Sequence, residues 1–244
     1  MKNINKEELL HAFKFAFPLT IPVLIGYLFL GLAYGFYMVA KGFHTGLALF
    51  MSLFTYSGGL QYLAVSLFMS ADFNPLYAFV LGLTVNSRMA FYGISMLSKY
   101  RRMGIVKPFL IFTLSDETFS ILCSLRVPQH LNKKYFYFAV SFINYVYWFI
   151  GTLLGCLLGE IIKFDTTGLD FVLTALFLVI FLDQWMDNKD HRAAIIGVLC
   201  SLPILVLKTN SSIILSMILI LVVITLLFVL KEHNNLEYEE DDEQ

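Results

Sequence analysis

Charged residues are scarce in this sequence. Only 14% of its 244 residues are charged, compared with about 25% in soluble globular domains, whereas 58% are apolar. The mean hydropathy is +0.74, and the net charge of −1 with no basic stripe argues against a nucleic-acid partner. Uncharged runs of about 20 residues are typical of membrane-spanning helices, because a helix satisfies its backbone polar groups internally. We therefore predict an all-α integral membrane helix bundle that lies in the lipid bilayer.

Cysteine and histidine are also few, and they are scattered. The three cysteines lie far apart in apolar runs, and the five histidines all fall in loops or at the termini. Such a pattern predicts neither a disulfide framework nor a metal site, and we expect no cofactor. The sequence has no phosphate-binding P-loop and no nucleophile–base spacing, so an enzymatic function is disfavoured.

Eight apolar segments account for most of the chain. They cover residues 18–40, 45–70, 75–98, 108–126, 135–162, 168–186, 193–208 and 211–231. Because the connections are short, we predict a single transmembrane transport domain over residues 18–231. A cytoplasmic N-terminal segment, residues 1–17, precedes it. The acidic residues 232–244 form a block of like charge that is expected to be disordered.

Basic residues in short loops predict the orientation of the chain. Clusters lie before the first segment, at residues 99–107 and at residues 126–134, and such clusters favour the cytoplasmic side. If every segment crossed the membrane, these clusters would lie on opposite sides. The conflict disappears if the second and fourth segments are interrupted or re-entrant. We therefore predict about seven spans (six to eight) in the inner cell membrane, with a cytoplasmic N-terminus.

The second segment contains polar residues and adjacent glycines where a plain span would be apolar. Ser57, Gly58, Gly59 and Gln61 lie near its middle. Unwinding at the glycines would expose backbone amides and carbonyls to a substrate, as in transporters with discontinuous helices. Alternatively, the glycines allow neighbouring helices to pack closely.

The third segment contains Asn86, Arg88 and Tyr92. Arg88 lies about 12 residues from each end of the segment, too deep for its side chain to reach the interface easily. Its guanidinium is suited to a carboxylate, either of a substrate or of the protein, so a structural ion pair is the alternative. Arg88 and Tyr92 share a helix face, and Asn86 would join them only if the backbone were distorted.

The fourth segment contains two adjacent carboxylates, Asp116 and Glu117. Neighbouring residues on a helix diverge by about 100°, so the two side chains are expected to have different partners. One is a candidate to neutralise Arg88 and the other to carry a proton. The alternative is that Asp116 caps a half-helix that begins after Ser115. Asn144 is interpreted mainly as packing, like Trp148.

Taken in order, these motifs resemble the AzlC family, the large subunit of branched-chain amino acid exporters. The matching stretches are Ser57-Gly58-Gly59-Leu60-Gln61, Asn86-Ser87-Arg88, Phe91-Tyr92-Gly93-Ile94-Ser95, Leu114-Ser115-Asp116-Glu117-Thr118-Phe119 and Gly168-Leu169-Asp170-Phe171. The sequence departs from the family pattern at Ser87 and Phe91, where leucine is common.

The resemblance implies export of valine, leucine or isoleucine from the cytoplasm, driven by the proton gradient. It also implies a small membrane partner of the AzlD type. A zwitterionic amino acid needs a cation or a helix N-terminus for its carboxylate and an acceptor for its ammonium group. Arg88 with the amides near Gly58 and Gly59 is the candidate for the first, and Asp116 or Glu117 for the second. A carrier for another small amino acid or organic anion and an anion-selective channel are the alternatives.

Overall fold

The computed structural model describes residues 6–69, 73–101, 103–125, 127–128, 131–162 and 191–206, with shorter stretches within 171–186 and 215–227. The chain divides into two compact units, Met1–Leu176 and Phe177–Gln244. The stretch Gly168-Leu169-Asp170 and the acidic tail lie outside the described residues, and the single transport domain over 18–231 stays a prediction.

All regular structure in the described residues is helical, as predicted. The first unit contains α1 (Lys6–Ala40), α2 (Thr45–Phe54), α3 (Gly58–Phe68), α4 (Pro75–Val85), α5 (Ser87–Tyr100), a 3-10 turn (Gly104–Val106), α6 (Lys107–Phe112), α7 (Asp116–Ser124) and α8 (Lys133–Ile161). The second unit contains α9 (Arg192–Val206). The helix α1 begins well before residue 18, because its first turn carries Glu7 and Glu8, which favour a helix N-terminus.

Within the described residues, α1 and α8 are the helices long and apolar enough to cross a membrane, and α2, α3 and α4 are shorter apolar helices. The two long helices run parallel and pack together along their length. Near their starts, the rings of Phe13 and Phe138 lie 6.3 Å apart, and near the middle those of Tyr27 and Trp148 lie 5.4 Å apart. This helix pair forms the centre of the first unit.

Glycines bring the backbones of α1 and α8 into direct contact. A Cβ atom on Gly35 would lie 2.7 Å from the Cys156 nitrogen and would overlap the Thr152 carbonyl oxygen. On α8, a Cβ atom on Gly155 would overlap the Leu32 carbonyl oxygen. Such contacts are possible only where both side chains are absent.

We expect Gly35→Ala to lower the thermal unfolding temperature of the purified protein, because overpacking a close contact costs about 1–3 kcal/mol. Gly26→Ala is the matched control on the same helix, since a Cβ atom there has no neighbour within 4 Å among the described residues. Equal unfolding temperatures for the two variants would contradict this view of the α1–α8 contact.

The second apolar segment is interrupted, as predicted, and folds back on itself, but the break lies at residues 55–57 and the two glycines already belong to α3. Hairpin 1 consists of α2, the tip residues 55–57 and α3. At its start, the Thr45 hydroxyl donates to the Glu160 carboxylate near the end of α8, at 2.5 Å. At its finish, the ring of Phe68 lies 6.2 Å from that of Phe43, which precedes α2. Hairpin 1 therefore enters and leaves at one end of the first unit, where α8 finishes.

The fourth segment folds back in the same way from the other end. Hairpin 2 consists of α6, the tip residues 113–115 and α7. Before α6, Gly104 lies close to the start of α8, because a Cβ atom there would be 3.9 Å from the Lys134 ammonium nitrogen. At the finish of α7, the Leu122 carbonyl accepts a hydrogen bond from the Lys99 ammonium group at 2.7 Å. Hairpin 2 therefore enters and leaves where α8 begins.

The third segment is also interrupted, whereas the sequence analysis predicted interruptions only in the second and fourth. The helix α4 ends at Val85 and α5 begins at Ser87, with Asn86 between them at φ −90° and ψ 2°. An asparagine side chain competes with helical hydrogen bonding, and here its oxygen accepts from the Ser57 hydroxyl at 2.7 Å. The interruption tilts the two halves but does not reverse the chain, which proceeds to the end where α8 begins.

The basic clusters of the first unit lie together at that end, which we call the basic end. The Asn132 amide donates to the Glu8 carboxylate at 3.3 Å, so the starts of α1 and α8 are neighbours. A groove of about 580 Å³ has four cationic side chains in its lining, Lys99, Arg101, Lys133 and Lys134. The clustering follows from the two hairpins, each of which turns back instead of continuing.

Candidate functional site

The tips of the two hairpins meet beside α1 and α8. The Tyr27 hydroxyl of α1 donates to the Ser115 hydroxyl at 2.7 Å, and the rings of Tyr56 and Phe112 lie 6.3 Å apart. Trp148 of α8 packs against both Tyr27 and the first residue of α3, since a Cβ atom on Gly58 would lie 2.9 Å from the indole ring. We call this meeting point the central cluster.

The tip of hairpin 1 leaves the start of α3 without a side-chain cap. Ser57 is extended (φ −143°, ψ 100°), and its hydroxyl donates to Asn86 instead of accepting from an α3 amide. The first amides of a helix have no acceptor within the helix, and they favour a negative charge. Gly58 and Gly59 have no side chains of their own over these amides, and the Trp148 indole packs beside Gly58. The preceding residue, Tyr56, has φ 42°, a left-handed conformation that is uncommon for a tyrosine.

Gln61 of α3 orients the indole of Trp148. The indole nitrogen donates to the Gln61 carbonyl at 2.8 Å, and the Gln61 amide donates to the Ser52 hydroxyl at 3.0 Å. The Ser52 hydroxyl in turn lies 2.9 Å from that of Thr152 on α8. Both ends of the fully buried Gln61 amide therefore have partners within the protein, and this network holds the indole ring of Trp148 in its position.

The tip of hairpin 2 also ends in an extended serine, Ser115, but its chemistry is different. The Ser115 hydroxyl accepts from the Thr118 amide at 3.2 Å, so Ser115 is the cap of α7, a role that the sequence analysis considered for Asp116. Asp116 and Glu117 occupy the first turn of α7, where carboxylates are favoured by the helix dipole. The tip of hairpin 2 therefore presents carboxylates, whereas the tip of hairpin 1 presents backbone amides that have no side-chain cap, which we call bare amides.

The two carboxylates have different partners, as the sequence analysis expected. Asp116 forms an ion pair with Arg88 at 2.9 Å, with both side chains about one quarter exposed. Glu117 accepts from the Tyr27 hydroxyl at 2.6 Å. Among the described residues, Arg88–Asp116 is the ion pair of this cluster, and Glu117 has no cationic partner within salt-bridge distance.

Asn86 and Arg88 contact the tips of different hairpins. Asn86 contacts Ser57 of hairpin 1, and Arg88 contacts Asp116 of hairpin 2. Tyr92 stacks on Phe119 of α7, with ring centroids 4.4 Å apart. Residues two apart on a helix point in roughly opposite directions, so this stretch of the third segment contacts both tips.

Four of the six buried side-chain polar atoms that lack a hydrogen-bond partner within the part of the chain that the structure describes lie in or beside the central cluster. They are the Tyr56 hydroxyl, Arg88 Nε, Asp116 Oδ1 and Asn144 Oδ1. The other end of the Asn144 amide donates to the Thr118 hydroxyl at 3.0 Å. Buried polar atoms are nearly always paired, so unpaired ones concentrated in one place indicate a ligand or water site.

The structure adds residues that the sequence analysis missed or valued too little. Tyr27, Ser52 and Thr152 were not singled out, and Asn144 and Trp148 were interpreted mainly as packing. All five take part in the hydrogen-bond network of the central cluster. Tyr27 is the hardest to find from sequence, because its hydroxyl's partners lie 88 and 90 residues further along the chain.

Comparison with known proteins assigns the family. The family described as AzlC protein matches residues 22–162, which contain both hairpins. A Bacillus subtilis protein named branched-chain amino acid transport protein AzlC is 44% identical over 203 residues, covering 83% of this chain and 80% of the relative. Proteins named uncharacterized membrane protein from Helicobacter pylori and Haemophilus influenzae are each 38% identical, over 82% and 80% of this chain and 87% and 80% of their own lengths. No solved structure matches the fold. Because the family match covers more than half of the chain and the relatives are similar over most of their length, the chain belongs to the AzlC family.

Proposed function

We propose that the chain exports branched-chain amino acids (valine, leucine and isoleucine) across the cytoplasmic membrane, driven by the proton gradient and together with a small AzlD-type subunit. The observation that carries the proposal is the meeting of a bare-amide tip and an acidic tip at one central cluster. The name of the Bacillus subtilis relative supports the substrate class. Family membership also sets an enzymatic function aside.

The chemistry of the central cluster suits a zwitterion with an aliphatic side chain. The substrate carboxylate binds at the start of α3, where the amides near Gly58 and Gly59 are uncapped. The ammonium group binds at the start of α7, where Glu117 lies without a cation. The aliphatic side chain packs against the aromatic rings of Tyr27, Tyr56 and Trp148, whose indole Gln61 holds in place.

Arg88 and Asp116 divide the acidic tip into one neutralised and one available carboxylate. Arg88 carries a permanent positive charge and forms an ion pair with Asp116 at 2.9 Å. Among the described residues Glu117 has no such cationic partner, and an ionised carboxylate that leaves water unpaired is costly. Protonation or a substrate ammonium group removes that cost, so Glu117 is the carboxylate that exchanges a proton for substrate.

The arrangement of the first unit supports a specific topology. α1, the broken α4–α5 pair and α8 each run from one end to the other, whereas the two hairpins are re-entrant. With one crossing for each of the sixth, seventh and eighth apolar segments, the chain has six spans, the lower limit of the predicted range. The basic end, which holds the start of α1, is cytoplasmic by the positive-inside rule.

Leucine counterflow in proteoliposomes tests the proposal. Vesicles loaded with unlabelled leucine should accumulate labelled leucine, and a pH gradient should drive net movement when the AzlD-type subunit is present. Leucinamide and isovalerate, which each lack one charge of the zwitterion, should compete poorly. A leak of solute without saturation or counterflow would indicate the alternative, a channel.

Gly58→Ala is expected to reduce leucine counterflow about tenfold or more while leaving the protein folded. The added methyl group displaces the indole, 2.9 Å away, and covers the amides at the start of α3. Loss of one charge-assisted hydrogen bond corresponds to about 1.5–3 kcal/mol. Gly93→Ala is the matched control, since a Cβ atom there has no neighbour within 4 Å in the described part of the chain. Equal counterflow by the two variants would remove the start of α3 from the binding site.

A further inference from the structure

Two stretches of the chain are related by an offset of 58 residues. When residues 34–67 are aligned with residues 92–125, ten of the 34 positions are identical. The identical pairs are Tyr34/Tyr92, Gly35/Gly93, Met38/Met96, Lys41/Lys99, Gly46/Gly104, Phe54/Phe112, Thr55/Thr113, Ser57/Ser115, Ser66/Ser124 and Leu67/Leu125. The similarity is densest at the hairpin tips, where both copies read Phe-Thr-X-Ser.

The helix boundaries follow the same offset. α2 ends at Phe54, and α6 ends 58 residues later at Phe112. α3 begins directly after Ser57, and α7 begins directly after Ser115, again 58 residues later. Both serines are extended N-cap residues, with φ −143° and φ −103°. Sequence and backbone therefore agree on the alignment, which is the signature of an internal repeat.

The two copies have opposite orientations. In the first copy, α1 runs away from the basic end and hairpin 1 enters from the far end. In the second copy, α5 runs toward the basic end and hairpin 2 enters from there. Inverted repeats of this kind underlie many secondary transporters, in which the substrate site lies where the repeats meet.

We propose that hairpins 1 and 2 are the two gates of this inverted repeat, each closing the central cluster toward the end from which it enters. This inference rests on the proposed transport function and adds its mechanism. Opening of hairpin 1 exposes the central cluster to the end where α8 finishes, and opening of hairpin 2 exposes it to the basic end. The site is thus reached from one side at a time.

The contacts in the first unit distinguish a fixed part from movable parts. α1 and α8 are in backbone contact along a row of glycines, an arrangement with little freedom. The hairpin tips are instead joined to their neighbours by side-chain contacts, such as Ser57 to Asn86 and Ser115 to Tyr27. Opening hairpin 1 also breaks side-chain hydrogen bonds to α8, such as those of Gln61 with Trp148 and of Ser52 with Thr152, but it does not require the glycine contacts between α1 and α8 to separate.

The equivalent positions also explain why the gates differ chemically. Gly58 and Gly59 of the first copy correspond to Asp116 and Glu117 of the second. The helix start that follows the tip serine therefore offers bare amides in hairpin 1 and carboxylates in hairpin 2. A zwitterion bridges the two gates and holds both closed around itself.

Electron–electron distance measurements on spin-labelled protein in nanodiscs test the inference. Cys123, Cys156 and Cys200 are first replaced with serine, and two label pairs are then introduced at exposed positions. Met69 with Ile161 reports on hairpin 1, and Ile105 with Leu10 reports on hairpin 2. Distances are recorded at acid and neutral pH, with and without leucine, and counterflow is measured on each labelled variant.

Conditions that lengthen one pair should shorten the other, with shifts of about 5 Å, the length of one helical turn. Two pairs that lengthen together, or that never change, would overturn the two-gate mechanism even if leucine is transported. Opposed shifts with pH in a protein that shows no leucine counterflow would instead retain the gates and reject the proposed substrate.

Discussion

Replacing Arg88 with glutamine is expected to lower leucine counterflow at least about tenfold, which corresponds to about 1.4 kcal/mol. Arg88 is the cation of the ion pair with Asp116, at 2.9 Å. Removing one partner of a fully buried pair costs about 3–5 kcal/mol. We expect the smaller effect of about 1.4 kcal/mol here, because the two side chains keep 28% and 26% exposure. The unpaired Asp116 would then compete with Glu117 for protons and for the substrate ammonium group.

The double variant Arg88→Gln, Asp116→Asn separates a positioning role from direct contact with substrate. If Arg88 acts by neutralising Asp116, the double variant should recover part of the counterflow lost in the single one. No recovery would indicate that the guanidinium binds substrate itself, and parental counterflow in the single variant would remove Arg88 from the site. Arg101→Gln, in the groove at the basic end, is the control for a general effect of losing a cation.

Replacing Glu117 with glutamine is expected to abolish accumulation driven by a pH gradient. The amide keeps the size of the side chain and still accepts from the Tyr27 hydroxyl, a contact of 2.6 Å in the parent. It cannot, however, exchange a proton. Exchange of leucine across the membrane at equal pH should therefore persist at a reduced rate, while the response to an imposed gradient disappears.

Two further variants define the outcome for Glu117. Glu160→Gln removes a carboxylate that contacts Thr45 at the far end of α8, and it should leave gradient-driven accumulation unchanged. Tyr27→Phe keeps the ring and removes the hydroxyl's contacts with the Glu117 carboxylate and with Ser115, and it should shift the pH dependence of transport without abolishing coupling. Gradient-driven accumulation by the Glu117→Gln protein at the parental level would assign proton coupling elsewhere.

The sequence was most informative where a residue type is costly in a membrane span. Arg88 and the adjacent Asp116 and Glu117 stand out among apolar neighbours, and so do the paired glycines at 58 and 59. Basic loops would lie on both sides of the membrane if every segment crossed it, which predicted that two segments turn back. The structure has a hairpin at each of these two segments. These inferences rest on local chemistry and on charge counting along the chain, which need no knowledge of tertiary contacts.

The remaining features depend on contacts between distant parts of the chain. Asn86 interrupts a helix without any glycine or proline, because it is held by Ser57 of another segment. Tyr27 is one of 13 tyrosines, and nothing near it in sequence reveals that it faces Glu117. Trp148 has the appearance of a packing residue until its hydrogen bond to Gln61 is known. The 58-residue repeat is present in the sequence, but its inverted orientation becomes visible only in the folded chain.

The most direct test of the central cluster is a structure of the membrane-embedded protein with leucine bound, at a resolution that shows the ligand's orientation. We expect leucine between the two hairpin tips, with its carboxylate at the amides of Gly58 and Gly59 and its ammonium group toward Glu117. Leucine bound away from these tips, or in the reverse orientation, would contradict the assignment of the two tips.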